Sequence, residues 1–497
     1  MSWNATWPLI TILCSLLPAL LILTLDEARH RLRNSLNLGG AVLKLTVVGL
    51  MLWGVYGGTR YGFGWEVLPG LSIVLRADAL ALLFLTLSAL LWLLTTIYAI
   101  SYLGQGPDLS RFFGFFCLCV AATAGIALAG NLFTLLIFYE LLTLSTYPLV
   151  VHKGDRASLA AGYVYLRYTL AGGALVLLGT AWLHALRGSL SFAEGGGALE
   201  AVPDQLSLQL IFWVLILGFG VKAALVPLHG WLPRAMVAPA PVSALLHAVA
   251  VVKAGAFGII RVIYDVYGLA LSARLGVLTP LAWLAALTIV YGSVQALRQD
   301  DIKRRLAYST VSQLSYIVLG TALLSPLAGI GGLAHLVHQG VMKITMFFCA
   351  GALAETLGIH RVSELNGAGR RMPLTMLTFS IAGLAMVGVP PLAGFISKWQ
   401  LGVGALESGN DWVVPVLLLS SLLNAAYFLP IIHRAWFLPP EGSWPQEAAS
   451  PGRLETAPGL LWPALITAAL TVLFGLFAGS ALSPLHWATF INEQVLP

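Results

Sequence analysis

Residues 218–255 read GFGVKAALVPLHGWLPRAMVAPAPVSALLHAVAVVKAG, and this stretch decides how the rest of the chain is read. Lys222 and Lys253 stand in segments that are otherwise apolar enough to lie within a membrane. Four prolines (Pro227, Pro233, Pro239 and Pro241) interrupt the backbone between them, and His229 and His247 share the stretch. An ionisable side chain at membrane depth costs several kcal/mol, so it is expected to serve a function.

Composition supports the membrane reading. Hydrophobic residues make up 58% of the 497 and charged residues 10%, against roughly 25% charged in a soluble domain. Apolar runs of roughly 20 residues match spanning helices. The alternating strands of about 10 residues that build a membrane barrel are missing from the pattern. The expected fold is an all-α integral membrane protein. The net charge of +6 belongs mostly to loops on one side and does not point to nucleic acid. Cys14, Cys117, Cys119 and Cys349 all fall in apolar segments, where a cysteine behaves as a small core residue. The N-terminus MSWNATW has no basic stretch and no A-x-A site, so it reads as an uncleaved first span.

Hydropathy gives fourteen spans, at about 3–25, 35–55, 78–101, 111–129, 131–151, 158–186, 208–228, 240–263, 276–297, 305–323, 327–356, 373–404, 412–437 and 459–488. Spans 7 and 12 are broken, at Pro227 and at GVPPLAG (Gly388 to Gly394). Breaks at corresponding positions of two halves point to inverted repeats with a site at the breaks. The expected organisation is three N-terminal helices (1–103), a first five-helix repeat (104–268), a second (269–438), and a loop with a last helix (439–497). With the N-terminus outside, sixteen of the 27 lysines and arginines, from Arg29 to Arg453, fall in inner loops. Five (Arg60, Arg76, Arg187, Arg261 and Arg274) fall in outer loops, where Glu194, Glu200 and Asp204 also lie. That bias predicts both termini outside.

The residues able to carry chemistry are few. Glu140, in LLIFYELLTL, is the one carboxylate deep in a span. Lys222, Lys253 and Lys398 sit near the middle of spans. Low dielectric favours the neutral amine and a nearby carboxylate favours the ammonium. Movement of Glu140 relative to Lys222 would therefore switch that lysine between holding and passing its proton. Each unit of such a shift is about 1.4 kcal/mol, and 100 mV acting on one charge is about 2.3 kcal/mol, so the two are comparable. His247, His335, His338 and Lys343 are relay candidates, since histidine titrates near neutrality. His335, Gln339 and Lys343 lie at i, i+4 and i+8 on one helical face. Metal ligation is not expected, because no thiolate or carboxylate accompanies the histidines at ligand spacing. Lys44 and Arg167 read as structural or interfacial. No dinucleotide fingerprint, Walker sequence, haem or iron–sulfur ligand set is present, so no cofactor is expected.

FYELLTLSTYPLV, the 221–255 stretch, HLVHQGVMKITMFFCAG and GVPPLAGFISKW together resemble the proton-conducting antiporter-like membrane subunits. This family includes the D-type component of multisubunit Mrp sodium/proton antiporters and the antiporter-like subunits of respiratory complex I. The resemblance covers about residues 75–435. It implies fourteen helices with two inverted five-helix repeats. It also implies that Glu140, Lys222, Lys253 and Lys398 carry proton translocation along a polar axis. A lysine at 398, where other members carry glutamate, leans toward the Mrp D type. Gln339 stands where many members have histidine, which leaves the relaying histidine of span 11 open. The function implied is proton translocation in exchange for Na+ by an assembly with other membrane subunits, in a bacterial plasma membrane. The alternative is a proton-pumping subunit of an NADH-quinone oxidoreductase. In neither is the chain an enzyme by itself.

Overall fold

The computed structural model describes residues 3–188, 190–192, 199, 202, 204–447 and 454–495. Arg453, Glu194 and Glu200, three of the loop charges, lie outside the described residues. Twelve helices among the described residues are long and apolar enough to cross a membrane. Two more spans complete the fourteen. Ile302–Ala322 begins with three consecutive basic residues, which lower its hydropathy. Pro373–Val387 and Ala393–Glu407 are the two halves of broken span 12.

Spans 4–8 and 9–13 pair by length. Leu109–Leu128 and Leu278–Leu297 both have 20 residues. Leu132–Val150 has 19 and Ile302–Ala322 has 21. Arg156–Arg187 and Pro326–Leu357 both have 32. Spans 7 and 12 are the broken pair, and Ala240–Tyr267 answers to Val413–Phe437. Five crossings is an odd number, so the second unit enters from the opposite face and the repeats are inverted.

At the breaks in spans 7 and 12, side chains of the protein take up carbonyls freed from the helix, as irregular backbone at this depth requires. Span 7 ends as a helix at Lys222 and continues through short turns. The carbonyl of Val221 there accepts the indole N–H of Trp231 at 2.7 Å. Span 8 is itself interrupted, with Ala240–Ala248 and Val251–Arg261 as its halves. In span 12 the helix stops at Gly388, which adopts φ +97°. The carbonyls of Met386 and Val387 accept from Lys398 Nζ at 2.9 and 3.0 Å.

Two features depart from the hydropathy reading. The stretch between spans 2 and 3 forms an antiparallel hairpin, β1 (Tyr61–Leu68) and β2 (Leu71–Ala77). Pro69-Gly70 turns it, with Gly70 at φ +80°, in a setting too short and too polar to cross a membrane. Span 14 ends at Leu476 rather than running on to about 488. Small and turn-forming residues follow, and Pro484–Val495 forms a separate helix in which Ser483 Oγ accepts from His486 N at 3.0 Å.

Gly255 brings spans 7 and 8 together. A Cβ there would come within 2.2 Å of Ala223 N and 2.7 Å of Phe219 O, both backbone atoms that cannot swing aside. Gly255→Ala is therefore expected to destabilise the fold by about 1–3 kcal/mol. A lower thermal midpoint of the detergent-solubilised chain would show it, and an unchanged midpoint would contradict the close approach.

Candidate functional site: a file of buried lysines

Lys222, Lys253 and Lys343 are fully buried and Lys398 nearly so. The elements above decide what each one touches. Lys222, the last helical residue of span 7, donates to the main-chain carbonyl of Tyr139 in span 5. Its ammonium also lies 3.3 Å from the centroid of the Tyr139 ring. The Tyr139 hydroxyl in turn donates to Gly218 O at 3.0 Å, which fixes the ring between spans 5 and 7. From sequence Tyr139 reads as packing only; the structure makes it the seat of Lys222.

Glu140, the next residue, is within electrostatic reach of Lys222 but packs elsewhere. Its carboxylate lies against Gly173 of span 6, and Oε1 has no hydrogen-bond partner in the protein. No ion pair joins Glu140 to Lys222 among the described residues. The expected partnership is thus one of neighbouring helices rather than direct contact. A Cβ at position 173 would come within 1.9 Å of Oε1. The carboxylate is the far end of a flexible chain, so it would give way rather than the backbone. If the seat of Glu140 matters, Gly173→Ala should slow transport about tenfold, the effect of about 1.4 kcal/mol on a barrier. Wild-type rates in reconstituted vesicles would remove any role for that position.

Lys253 opens the second half of span 8 and donates to Leu336 O of span 11 at 2.6 Å. It thereby joins the first repeat to the second. His247, just before the break in span 8, is buried with its ring 4.7 Å from that of Phe347 and no partner on either ring nitrogen. On span 11, His335 is held at both nitrogens, Nδ1 by Ser397 Oγ at 2.8 Å and Nε2 by Gln313 Oε1 at 3.0 Å. Ser397 directly precedes Lys398, so His335 is tied to the span 12 lysine. His338 and Gln339, one turn further along, make no well-formed hydrogen bond through their side chains.

Lys343 donates to Ser309 Oγ at 2.6 Å. Ser309 Oγ lies 3.0 Å from the Tyr427 hydroxyl, which gives its one proton to Asn424 Oδ1 and so accepts from Ser309. Asn424 Nδ2 donates to Met386 O at 3.2 Å, the carbonyl that also holds Lys398. Lys398 donates in addition to Ser421 Oγ at 3.0 Å. Sequence reading named none of Ser309, Tyr427, Asn424 or Ser421. The available signal was the polar stripe Ser420, Asn424 and Tyr427, three or four residues apart in an otherwise apolar span.

The two cations set aside in the sequence separate in the structure. Arg167 is exposed on span 6 above the Tyr163 ring, 5.4 Å away. Lys44 is fully buried and donates to Ser15 Oγ at 3.0 Å and Val120 O at 3.2 Å. A second missed group lies at the end of span 8. Arg261, assigned from sequence to an outer loop, is 1% exposed. It donates to both oxygens of Asp78 at 2.9 Å and to Asp265 at 2.7 Å. Arg76 adds a further bond to Asp78 at 3.1 Å.

Residues 129–424 match the family described as NADH:quinone oxidoreductase/Mrp antiporter, TM. The chain belongs to this family. It is 38% identical over 433 residues to the N-type subunit of the NADH-quinone oxidoreductase of Desulforudis audaxviator (strain MP104C), covering 84% of each chain. It is 30% identical over 417 residues to the D-type subunit of the Na(+)/H(+) antiporter of Bacillus subtilis (strain 168), covering 83% of this chain and 82% of that one. In fold it superposes on a chain of the Mrp complex from Dietzia sp. DQ12-45-1b with TM-score 0.87 and 23% identity, over 100% of this chain and 98% of that one. This family member is a proton-antiporter-like membrane subunit of the Mrp and complex I kind.

Proposed function

We propose that this chain is the proton-translocating subunit of a multisubunit Na+/proton antiporter in a bacterial plasma membrane, with both termini outside. One observation carries the reading. Four lysines are buried along spans 7, 8, 11 and 12, each donating to neutral oxygens and none paired with a carboxylate among the described residues. A lysine so held can exist as amine or ammonium at modest cost, because it gives up no ion pair when it loses its proton. Such a residue is suited to carry protons rather than to brace the fold.

In this reading Lys222 and Lys253 are the carriers of the first repeat, residues 104–268, and Lys398 is the terminal carrier of the second, residues 269–438. Glu140 modulates Lys222 from the adjoining helix. His247, His338 and Gln339 present buried polar atoms that make no well-formed hydrogen bond within the protein, the condition under which a protein interior holds water. His335, pinned at both nitrogens, positions span 12. The chain catalyses no bond-making step by itself, and it works alongside other membrane subunits of its assembly.

A second reading is favoured by the 38% identity to an NADH-quinone oxidoreductase subunit. There the same lysines would pump protons under redox drive from neighbouring chains. Proton movement in vesicles holding the complete native assembly separates the two. Na+-driven exchange, with small hydrophobic subunits co-purifying, is expected. Transport that needs NADH and quinone and ignores Na+, with flavin and iron–sulfur subunits present, would replace the first reading by the second.

A further inference from the structure

The hydrogen-bonded chain from Lys343 to Lys398 is made of groups that the four carriers and the histidines do not include. Ser309, Tyr427 and Asn424 are all fully buried. From Lys343 to Tyr427 every member carries a proton on the atom that makes the bond. The Lys343 ammonium can give a proton to Ser309 Oγ while Ser309 passes its own to the Tyr427 oxygen and Tyr427 releases its own onward. Both hydroxyls are then restored and Lys343 is a neutral amine. Beyond Tyr427 the character of the chain changes.

Asn424 accepts at Oδ1 and donates from Nδ2, to Met386 O at 3.2 Å. A carboxamide that took a proton on oxygen and released one from nitrogen would be left as the imidic acid, a high-energy tautomer. The next group, the Met386 carbonyl, has no proton to release and accepts from Lys398 Nζ as well. Between the Tyr427 hydroxyl and the Lys398 ammonium, then, stand two groups that bind firmly and do not relay.

We propose that Asn424 is a proton barrier, which holds Lys343 and Lys398 in one network while preventing direct proton passage between them. The inference rests on the proton-translocating reading above. It adds to that reading the place where the path is deliberately interrupted, on span 13. An open link there would let protons run between the two lysines without a transported cation.

The test measures Na+-free proton leak in vesicles containing the complete native assembly, with an imposed potential and a pH-sensitive dye. Asn424→Ser replaces the carboxamide by a hydroxyl and frees about one water's volume. Leak is expected to rise about tenfold, equivalent to about 1.4 kcal/mol off the barrier. Asn424→Leu, branched at the same carbon and unable to relay, is expected to leak no more than wild type. Adding Tyr427→Phe to Asn424→Ser removes the upstream hydroxyl and should return the leak to baseline. Native gels confirm assembly of each variant. A wild-type leak in Asn424→Ser overturns the proposal. So does an equal rise in Asn424→Leu, or a leak that survives Tyr427→Phe. Lys398→Ala, read as Na+-dependent exchange, tests the underlying function separately, so the two can fail independently.

Discussion

Lys222→Arg is expected to abolish proton exchange although it keeps the positive charge. Lys222 is fully buried and donates to the Tyr139 carbonyl, with its ammonium over the Tyr139 ring. An arginine would satisfy that carbonyl and that ring equally well, since guanidinium donates readily and stacks on aromatic faces. What it cannot do is release its proton, because guanidinium stays charged throughout the physiological pH range. A residue needed only as a fixed charge would tolerate the change. A carrier would not, and exchange should fall by at least about a hundredfold, comparable to losing a general acid–base group. Lys222→Ala should be equally inactive, and Glu140→Ala should be impaired but not silent, because the carboxylate touches Lys222 through no direct bond. Proton uptake by reconstituted vesicles at equal assembly decides the matter. Wild-type exchange in Lys222→Arg would reduce Lys222 to a structural cation.

Asp78→Asn is expected to cost about 3 kcal/mol of stability, the lower end for breaking a buried ion pair by removing one partner. Asp78 accepts from Arg261 through both oxygens and from Arg76, while Arg261 has Asp265 as its other acid. The four groups balance two positive and two negative charges. Removal of one acid leaves a cation that is 1% exposed with a single counter-charge. Asp78 also caps span 3 by accepting from Ala81 N at 2.8 Å, and asparagine caps almost as well. The asparagine variant therefore removes the charge while keeping the cap. The cluster ties the hairpin and span 3 to the C-terminal end of the half-helix that carries Lys253. Its loss should show as a lower thermal midpoint of the solubilised assembly. An unchanged midpoint would mean the cluster adds nothing that its desolvation does not take away.

The residues on which these expectations rest were unequally visible in the sequence. Lys222, Lys253 and Lys398 stand out because each is a charge in an apolar run, and the cost of burying it demands an account. Glu140 stands out for the same reason. Tyr139, Ser309 and Tyr427 do not, since a hydroxyl in a spanning helix is common and commonly bonds its own preceding turn. Arg261 and Asp265, four residues apart, have a readable helical spacing. Arg261 nevertheless reads as an outer-loop charge, because it falls within a few residues of the end that hydropathy gives span 8. Asp78, 183 residues away from Arg261 along the chain, could not be paired with it by any local pattern.

What the sequence by itself determined is the medium and the outline: fourteen crossings, two of them broken at proline, with lysines placed at the breaks. Those features follow from hydropathy, chain length per crossing and the missing N–H of proline, all of which are local. Only the tertiary structure decided what each buried charge rests against. The Tyr139 carbonyl took Lys222, Leu336 took Lys253, and the carbonyls freed at the span 12 break took Lys398. The physical reason is that a buried ammonium takes whichever oxygen helix packing brings within about 3 Å. Packing depends on small residues such as Gly173 and Gly255, which let neighbouring spans close in from distant parts of the chain.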